Sequence, residues 1–348
     1  MADEAHKWTD GEIERLEKRF MTMYRQASKE MGQKVEKLME GYDEQRREWL
    51  KMVRTGEKTQ QEYKEWLRSL STRHRYVSGM ADTLARDATR TNELARDAIN
   101  DALPRVFTEN ANRAAFSIEK QLGWDTHSFD LVDESTVRRL MAMPDVGQIL
   151  KEVTTDESIV DPPLVTMRKL GFKEAKDVRW NRQKFNAAIT QGILQGESIP
   201  NVAKRLKRVL NMGRGMAVRA ARTAITSAEN AGRVDSYKRA KDIGIELEQQ
   251  WVATLDERTR ESHRHLDGEH VAVGKKFSNG LEFPGDPEGR PEEVWNCRCT
   301  LVAWFPGIEQ EDPERWSRLP DGMTYEEWKS GKLGGPVGRN RARRGGNG

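Results

Sequence analysis

The chain has 348 residues and a formal net charge of +3, with 36% hydrophobic and 33% charged residues. Because soluble domains typically contain about 45–50% apolar and about 25% charged residues, we expect two or three units, some of them long helices, instead of one compact core. No apolar run approaches the ~18–20 residues of a membrane span, and the N-terminus is too polar for a secretory signal. The two cysteines favour a reducing cytoplasm over a disulfide-stabilised fold.

The first hundred residues predict amphipathic helices. Apolar residues from Ile13 to Tyr42 recur in steps of three and four, which places them on one face of a helix over 9–53. A turn at 54–58 precedes a second helical stretch at about 59–102. The two stretches predict either helices packed on each other or an arm for docking or oligomerisation, and both interpretations stay open.

The rest of the chain predicts a connector, a small α+β domain and an extension. Prolines and acidic residues make 103–165 an irregular connector, 166–310 is the domain, and 311–348 is an extension ending in a polar tail that is expected to be disordered. The expected elements of the domain are helices over 179–194, 201–210 and about 216–243, a glycine turn at 213–215, strands near 247–254 and 269–273, and a segment at 295–304 that holds both cysteines. The predicted fold class is therefore α+β, with an elongated helical region over 1–102.

The residues with potential chemistry follow residue 251. Potential ligands for a soft metal ion are His263, His265, His270, Cys297 and Cys299. The Cys-x-Cys spacing is tighter than the usual Cys-x₂₋₄-Cys of zinc sites, so a zinc site, a disulfide and a rigid loop with free thiols all stay open. In the last interpretation the loop is held by a network of Asp256, Arg258, Arg260 and Asp267.

Carboxylates near a histidine also suggest an enzyme. A metal-dependent nuclease would use Asp256, His263 and Asp267. The sequence has no His-Glu-x-x-His motif, no phosphate-binding glycine-rich loop before a helix and no recognisable Ser/His/Asp arrangement. We therefore expect a binding protein and keep the nuclease as the alternative.

Several motifs occur in a characteristic order between residues 221 and 301. They are the helix Ala221–Arg233, the run Trp251–Gly268, the loop Phe283-Pro284-Gly285-Asp286-Pro287, and Asn296-Cys297-Arg298-Cys299-Thr300-Leu301. Together they resemble the phage Mu F-like family of minor head, or head morphogenesis, proteins, and the resemblance covers about 166–304. The motif residues expected to be structural are Asp256, Arg258, Arg260, Asp267, Gly268, Asn296 and Arg298.

The match departs from the family at potential metal ligands. Many relatives carry Cys-x-x-Cys where this chain has Arg260 and His263, and a histidine where it has Val294. The resemblance therefore implies metal-binding ancestry. The matched positions are His263, Cys297 and Cys299, for which zinc is the possible cofactor, and His265 or His270 would have to supply a further ligand.

The resemblance implies a structural role in the phage virion, with assembly in the host cytoplasm. Such proteins associate with the portal and assist head assembly and DNA packaging or delivery. The implied partners are the portal, capsid or scaffolding proteins and non-specifically bound double-stranded DNA, without a membrane. The N-terminal helices are candidates for homo-oligomerisation.

The charge distribution suits an anionic partner. Residues 166–241 carry +13 and the tail 331–348 carries +5, whereas 242–330 carry −10. Cationic helix faces and Arg-rich tails bind phosphates in a salt-sensitive way, although solvated faces have the same composition. The predicted DNA-binding residues are Lys204, Arg205, Lys207, Arg208, Arg339, Arg341, Arg343 and Arg344.

Overall fold

A computed structural model describes residues 3–72, 74–142, 174–307 and 316–334. The helices are α1 (Glu4–Leu38), α2 (Tyr42–Thr55), α3 (Gln60–Thr72), α4 (His74–Leu122), α5 (Glu134–Ala142), α6 (Glu174–Leu194), α7 (Ile199–Asp242), α8 (Glu261–His265), α9 (Pro291–Val294) and α10 (Tyr325–Gly334). The strands are β1 (Trp124–Asp125), β2 (Glu248–Val252), β3 (His270–Ala272), β4 (Thr300–Trp304) and β5 (Ser317–Arg318). Helices dominate and the sheets are small, which confirms the predicted α+β class.

The larger sheet is antiparallel, with strand order β3-β2-β4. Central strand β2 alternates between buried and half-buried residues, and Gln249 and Trp251 point inward. This alternation is what a strand with one face on a core requires. The strands predicted near 247–254 and 269–273 are confirmed. A second sheet pairs the two-residue strands β1 and β5.

The N-terminal helices are confirmed, but their predicted ends are wrong. The helix expected over 9–53 is broken before Tyr42, where α2 begins. The stretch expected at 59–102 divides into α3 and α4, and α4 continues through Pro104 to Leu122. Burial of Leu103, Val106 and Phe107 keeps this part helical despite the backbone hydrogen bond that a proline removes. Residues 103–122 are therefore not an irregular connector.

The glycine turn predicted at 213–215 is also wrong, because α7 runs through it without interruption. A Cβ atom at Gly213 would lie 3.1 Å from Oδ1 of Asn92 and 3.4 Å from Cε1 of Tyr24. Glycine at this position therefore serves a close approach of side chains to the backbone of α7. Sequence alone does not distinguish this use of glycine from a turn.

The described chain divides into two compact units that are interleaved along the sequence. One unit, called here the helical unit, comprises 15–98 and 172–218. The other, called here the sheet unit, comprises 1–14, 99–171 and 219–348. The functional division into an arm (1–102), connector, domain and extension stays a prediction. Residues 143–173 and the tail after 334 lie outside the described residues, and so do the predicted irregular connector up to 165 and the predicted disorder of the tail.

The helical unit has one hydrophobic cluster built from α1, α2, α4, α6 and the first part of α7. Its buried members include Met31, Val35, Leu84, Phe185, Ile189 and Leu206. Residues of the first hundred thus share a core with residues near 185–210. Among the described residues, no helix is long and apolar enough to cross a membrane.

The sheet unit is built around a close packing of α7 on α4. Ser236 Oγ donates a hydrogen bond of 2.6 Å to the carbonyl oxygen of Ala111, and Gly232 faces the α4 backbone at Phe107. The extension also belongs to this unit, since Trp328 donates to Glu119 and Lys332 contacts Glu119 and Asp125. The part of the extension described at 316–334 is therefore held by α4 and β1.

Candidate metal centre and its supporting network

Three potential metal ligands come together in the sheet unit. Short helix α8 supplies His263, and the loop before β4 supplies Cys297 and Cys299. Nδ1 of His263 lies 3.6 Å from Sγ of Cys297 and 3.4 Å from Sγ of Cys299. The three side chains are buried, and their donor atoms all lie within 4.8 Å of one another. Such a cluster of one imidazole and two thiols has the donor chemistry that zinc prefers.

Glu293 orients the imidazole of His263. Its Oε2 lies 3.0 Å from Nε2 of His263, and Ser262 Oγ donates to the same carboxylate. The edge of His263 also packs against Trp251, with ring centroids 5.3 Å apart. A carboxylate on one ring nitrogen favours a proton there and leaves the other nitrogen free to bind a metal. Nδ1, the free nitrogen, is the one that faces the thiols.

The two thiols have opposite acidities. A hydrogen bond to Cys299, together with burial, raises the pKa of Cys297, whereas the hydrogen bond from Cys297 and the neighbouring imidazole of His263 lower the pKa of Cys299. These opposite shifts favour a thiolate at Cys299 beside a thiol at Cys297. Because metals bind thiolates, Cys299 is the sulfur best prepared for a metal ion.

The site provides three of the four ligands of a tetrahedral zinc ion. His265 is exposed and its Nδ1 lies 2.9 Å from the carbonyl oxygen of Glu261. His270 bonds to Glu248 and stacks on Trp304, with ring centroids 3.9 Å apart. Neither belongs to the cluster of His263, Cys297 and Cys299, so the expectation that one of them completes it is not met.

Helix α7 holds the cysteine loop through side chains that the sequence did not single out. Thr226 Oγ1 donates to the carbonyl oxygen of Cys297 at 3.0 Å. The Asn230 amide donates to the carbonyl oxygens of Pro284 and Cys299 and accepts from the backbone of Leu301. The available signal was the position of both residues in the helix 221–233, where buried polar side chains need partners.

The motif residues between 256 and 298 form internal contacts, but not the predicted ones. Asp256 pairs with Arg298 through two hydrogen bonds of 2.6 Å, and Arg298 holds the pKa of Asp256 well below its usual range. The side chain of Arg258 is exposed, and only its backbone N–H bonds to Asp256. Arg260 donates to the carbonyl oxygen of Trp295. The expected network therefore runs through Arg298 and backbone groups instead of Arg258.

The remaining motif residues bond to the backbone or to a side chain of α7. Asp267 accepts a hydrogen bond from the N–H of Ala253 at 2.9 Å. The N–H of Gly268 donates to Trp251 at 2.9 Å, and that of Asn296 donates to Oγ1 of Thr223 at 2.9 Å. These contacts give the motif a structural use in a loop-rich fold.

The structure does not bring together the three residues of the nuclease alternative. In the part of the chain that is described, neither Asp256 nor Asp267 shares a potential metal group with His263. Asp256 forms an ion pair with Arg298, and Asp267 accepts a hydrogen bond from a backbone N–H. The arrangement lacks the shared carboxylate site that two-metal or metal–histidine hydrolysis requires.

Comparison with known proteins agrees with this geometry. Residues 183–302 match the family described as Phage Mu protein F like protein. The minor head protein GP7 of Bacillus phage SPP1 is 25% identical over 345 residues, covering 95% of this chain and 97% of that protein. Over residues 183–302 the chain is thus similar to the Mu F-like family. The similarity to a minor head protein supports a role in phage head morphogenesis and a location in the virion.

Other relatives match a part of the chain. The NAD(+)–arginine ADP-ribosyltransferase EFV of Enterococcus faecalis is 29% identical over 156 residues, covering 43% of this chain and 32% of that protein. The uncharacterized protein YqbB of Bacillus subtilis is 28% identical over 141 residues, covering 37% of this chain and 45% of that protein. No solved structure matches the chain significantly.

The N-terminal segment is anchored by a buried polar network. Arg233 donates to the carboxylate of Asp3 at 2.7 and 2.8 Å and to the carbonyl oxygen of Leu301 at 2.8 Å. His6 lies 2.8 Å from Glu229, which also contacts Arg233. Sequence reasoning missed this network, because Asp3 and His6 lie more than 200 residues from Arg233 and Glu229.

The network shifts the acidities of its outer members. Burial alone would raise the pKa of Asp3, but hydrogen bonds and the charge of Arg233 lower it to about 2. Burial alone would lower the pKa of His6, but the carboxylate of Glu229 raises it to about 9. Asp3 and His6 are therefore both charged at neutral pH, and each faces an opposite charge.

The predicted DNA-binding residues have different environments. Lys204, Lys207 and Arg208 are exposed on α7. Arg205 instead pairs with Glu197, with Nε 2.6 Å from Oε2, and also donates to two glutamine side chains. Arg205 is thus used within the fold. The predicted tail residues Arg339, Arg341, Arg343 and Arg344 lie outside the described residues.

Proposed function

We propose that this Mu F-like protein associates with the portal in the procapsid and assists head assembly and DNA packaging or delivery. The end-to-end similarity to a minor head protein carries this proposal. Asp256 and Asp267, the carboxylates of the nuclease alternative, are used in internal contacts with Arg298 and a backbone N–H. This use of the carboxylates supports a binding role over the nuclease alternative. Capsid or scaffolding proteins are further partners, and assembly takes place in the host cytoplasm.

The helical region of residues 1–102 is the proposed docking element for the portal or for a second copy. It exposes Leu50 and Leu94, which are 37% and 51% accessible. We expect the wild-type protein to co-purify with the portal of its own phage. Replacing both leucines with serine should reduce recovery at least about tenfold, since exposed apolar anchors often dominate such interfaces.

Leu255→Ser is the matched control for the portal experiment. Leu255 is 64% accessible but lies in the Mu F-like motif region, so its variant should keep portal binding. Circular dichroism should show the same helix content in all three proteins. Absence of wild-type co-purification would overturn the portal proposal, and equal binding by the double variant would overturn docking through the helical region.

We also propose that Nδ1 of His263 and the sulfurs of Cys297 and Cys299 hold a zinc ion. A zinc ion at this position would link α8 to the cysteine loop and stabilise both. Protein purified without chelator should contain about one zinc per chain by elemental analysis. Cys297→Ser and His263→Ala should each lose it, whereas the exposed His265→Ala variant should retain it.

Two results would reject the zinc site. One is substoichiometric zinc in the wild-type protein, and the other is unchanged zinc content in Cys297→Ser. A mass two hydrogens below that of the reduced protein would indicate a disulfide between Cys297 and Cys299 instead.

A further inference from the structure

The helical unit contains a cleft of 370 Å³ between α1 and α7. Four of the side chains that line it are cationic, namely Arg25 and Lys29 from α1 and Lys207 and Arg214 from α7. Ser28 and Asn211 add neutral hydrogen-bonding groups, and no acidic side chain lines the cleft. The lining is therefore that of an anion site.

The spacing of these cationic residues places each pair on the side of its helix that lines the cleft. Arg25 and Lys29 are four residues apart, and Lys207 and Arg214 are seven apart, so each pair lies on one face of its helix. The like charges of Arg25 and Lys29, four residues apart, destabilise a helix unless a counter-charge is present. None of the four has an ion pair or hydrogen bond with any described residue, whereas Lys34 and Arg205 of the same unit pair with Asp87 and Glu197.

The floor of the cleft is fixed. Tyr24 is buried and donates a hydrogen bond of 2.6 Å to Oδ1 of Asn92. Gly213 allows α7 to approach this pair closely. The four cations thus project from a packed base, which reduces the ordering cost of binding an anion.

We propose that this cleft binds backbone phosphates of double-stranded DNA. The inference rests on the proposed role in DNA packaging or delivery, and it assigns a DNA contact to Arg25, Lys29, Lys207 and Arg214. Arginine forks and lysine ammonium groups both bind phosphate oxygens, and the volume lies in the ~300–1,000 Å³ range of ligand sites. Lys207 is shared with the predicted set, but Arg205 is not part of the cleft.

The test compares two charge-matched double variants of the full chain. Arg25→Gln/Lys29→Gln removes two cleft cations. Lys51→Gln/Lys64→Gln removes two exposed cations of the same unit that have no ion pair with any described residue. Fluorescence anisotropy with a random-sequence duplex, measured over a salt series, gives the affinity and its salt dependence.

We expect the cleft variant to bind duplex DNA at least about tenfold more weakly than wild type. Its slope of log affinity against log salt should fall by about 2, because each lost phosphate contact contributes about 0.9. The control variant should stay within about twofold of wild type. Equal melting temperatures of the three proteins would show that the substitutions act on binding and not on folding.

Other outcomes separate the proposals. Wild-type protein without salt-dependent DNA binding would overturn the DNA contact itself. DNA binding that is equal in the cleft and control variants would overturn only the assignment to the cleft. Competition by inorganic phosphate without any effect of the cleft variant on DNA affinity would indicate a free-anion site. Tighter binding of poly-glutamate than of DNA at matched salt would indicate an acidic protein instead.

Discussion

Gly232→Ala should destabilise the sheet unit severely. A Cβ atom there would come closer than 3.0 Å to the carbonyl oxygen of Phe107 and lie 3.1 Å from the backbone nitrogen of Ala111. Both are backbone atoms of α4, so a rotamer change cannot relieve the overlap and the helices have to separate. We expect a loss of about 3 kcal/mol or more in the free energy of unfolding, at the upper end of overpacking effects. Urea denaturation followed by circular dichroism measures it.

Gly215→Ala provides the matched control in the same helix. A Cβ atom at Gly215 meets nothing within 4 Å, so the gain in helix propensity is unopposed. This variant should be more stable than wild type by ~0.5–1 kcal/mol. The same chemical change thus has opposite signs at two positions of α7. Equal effects at both positions would contradict the close packing of α7 on α4.

Arg233→Met is expected to cost about 3–5 kcal/mol, the range for breaking a buried ion pair by removing one partner. The Arg233 side chain is 2% accessible and contacts Asp3, Glu229 and Leu301. Without Arg233, the buried carboxylate of Glu229 loses one of the positive charges that neutralise it. Methionine keeps the length of the side chain, so the effect reports charge and hydrogen bonding more than lost volume. Chemical denaturation gives the difference.

Two comparisons sharpen the Arg233 experiment. Lys241→Met removes an exposed cation of the same helix and should change stability by less than about 0.5 kcal/mol. Adding Glu229→Gln to Arg233→Met should restore part of the loss, because it removes the buried charge that was left without its partner. A double variant as unstable as the sum of the single variants would mean that the two side chains act independently.

Local patterns of the sequence predict those features that depend on neighbouring residues. Three- and four-residue spacing from Ile13 onward predicts helices, and the segment 247–254 predicts strand β2. The motif residues His263, Cys297 and Cys299 are indeed neighbours in space. The helix predictions succeed because periodic burial is encoded within a few residues. The proximity of His263 to the cysteines, which lie 34 and 36 residues away in sequence, is instead what the family resemblance implies.

Features that depend on distant partners are not predictable in this way. Glu293 orients His263 from 30 residues away, and Arg298 replaces Arg258 as the partner of Asp256. Charge composition near 204–208 identified a basic region, but it did not show that Arg205 is neutralised by Glu197. Each of these contacts depends on which partner side chain the fold places nearby, and composition does not encode that choice.

The anchoring of Asp3 and His6 to α7 also determines when the sheet unit is completed during translation. Arg233 is made 230 residues after Asp3, and Leu301, its third partner, follows 68 residues later. The ribosome has therefore produced all residues of the helical unit, which ends at 218, before the N-terminal segment finds its partners. Contacts of such large sequence separation form slowly. Asp3 and His6 thus reach their native contacts with Arg233 and Glu229 only after the whole helical unit has been synthesised.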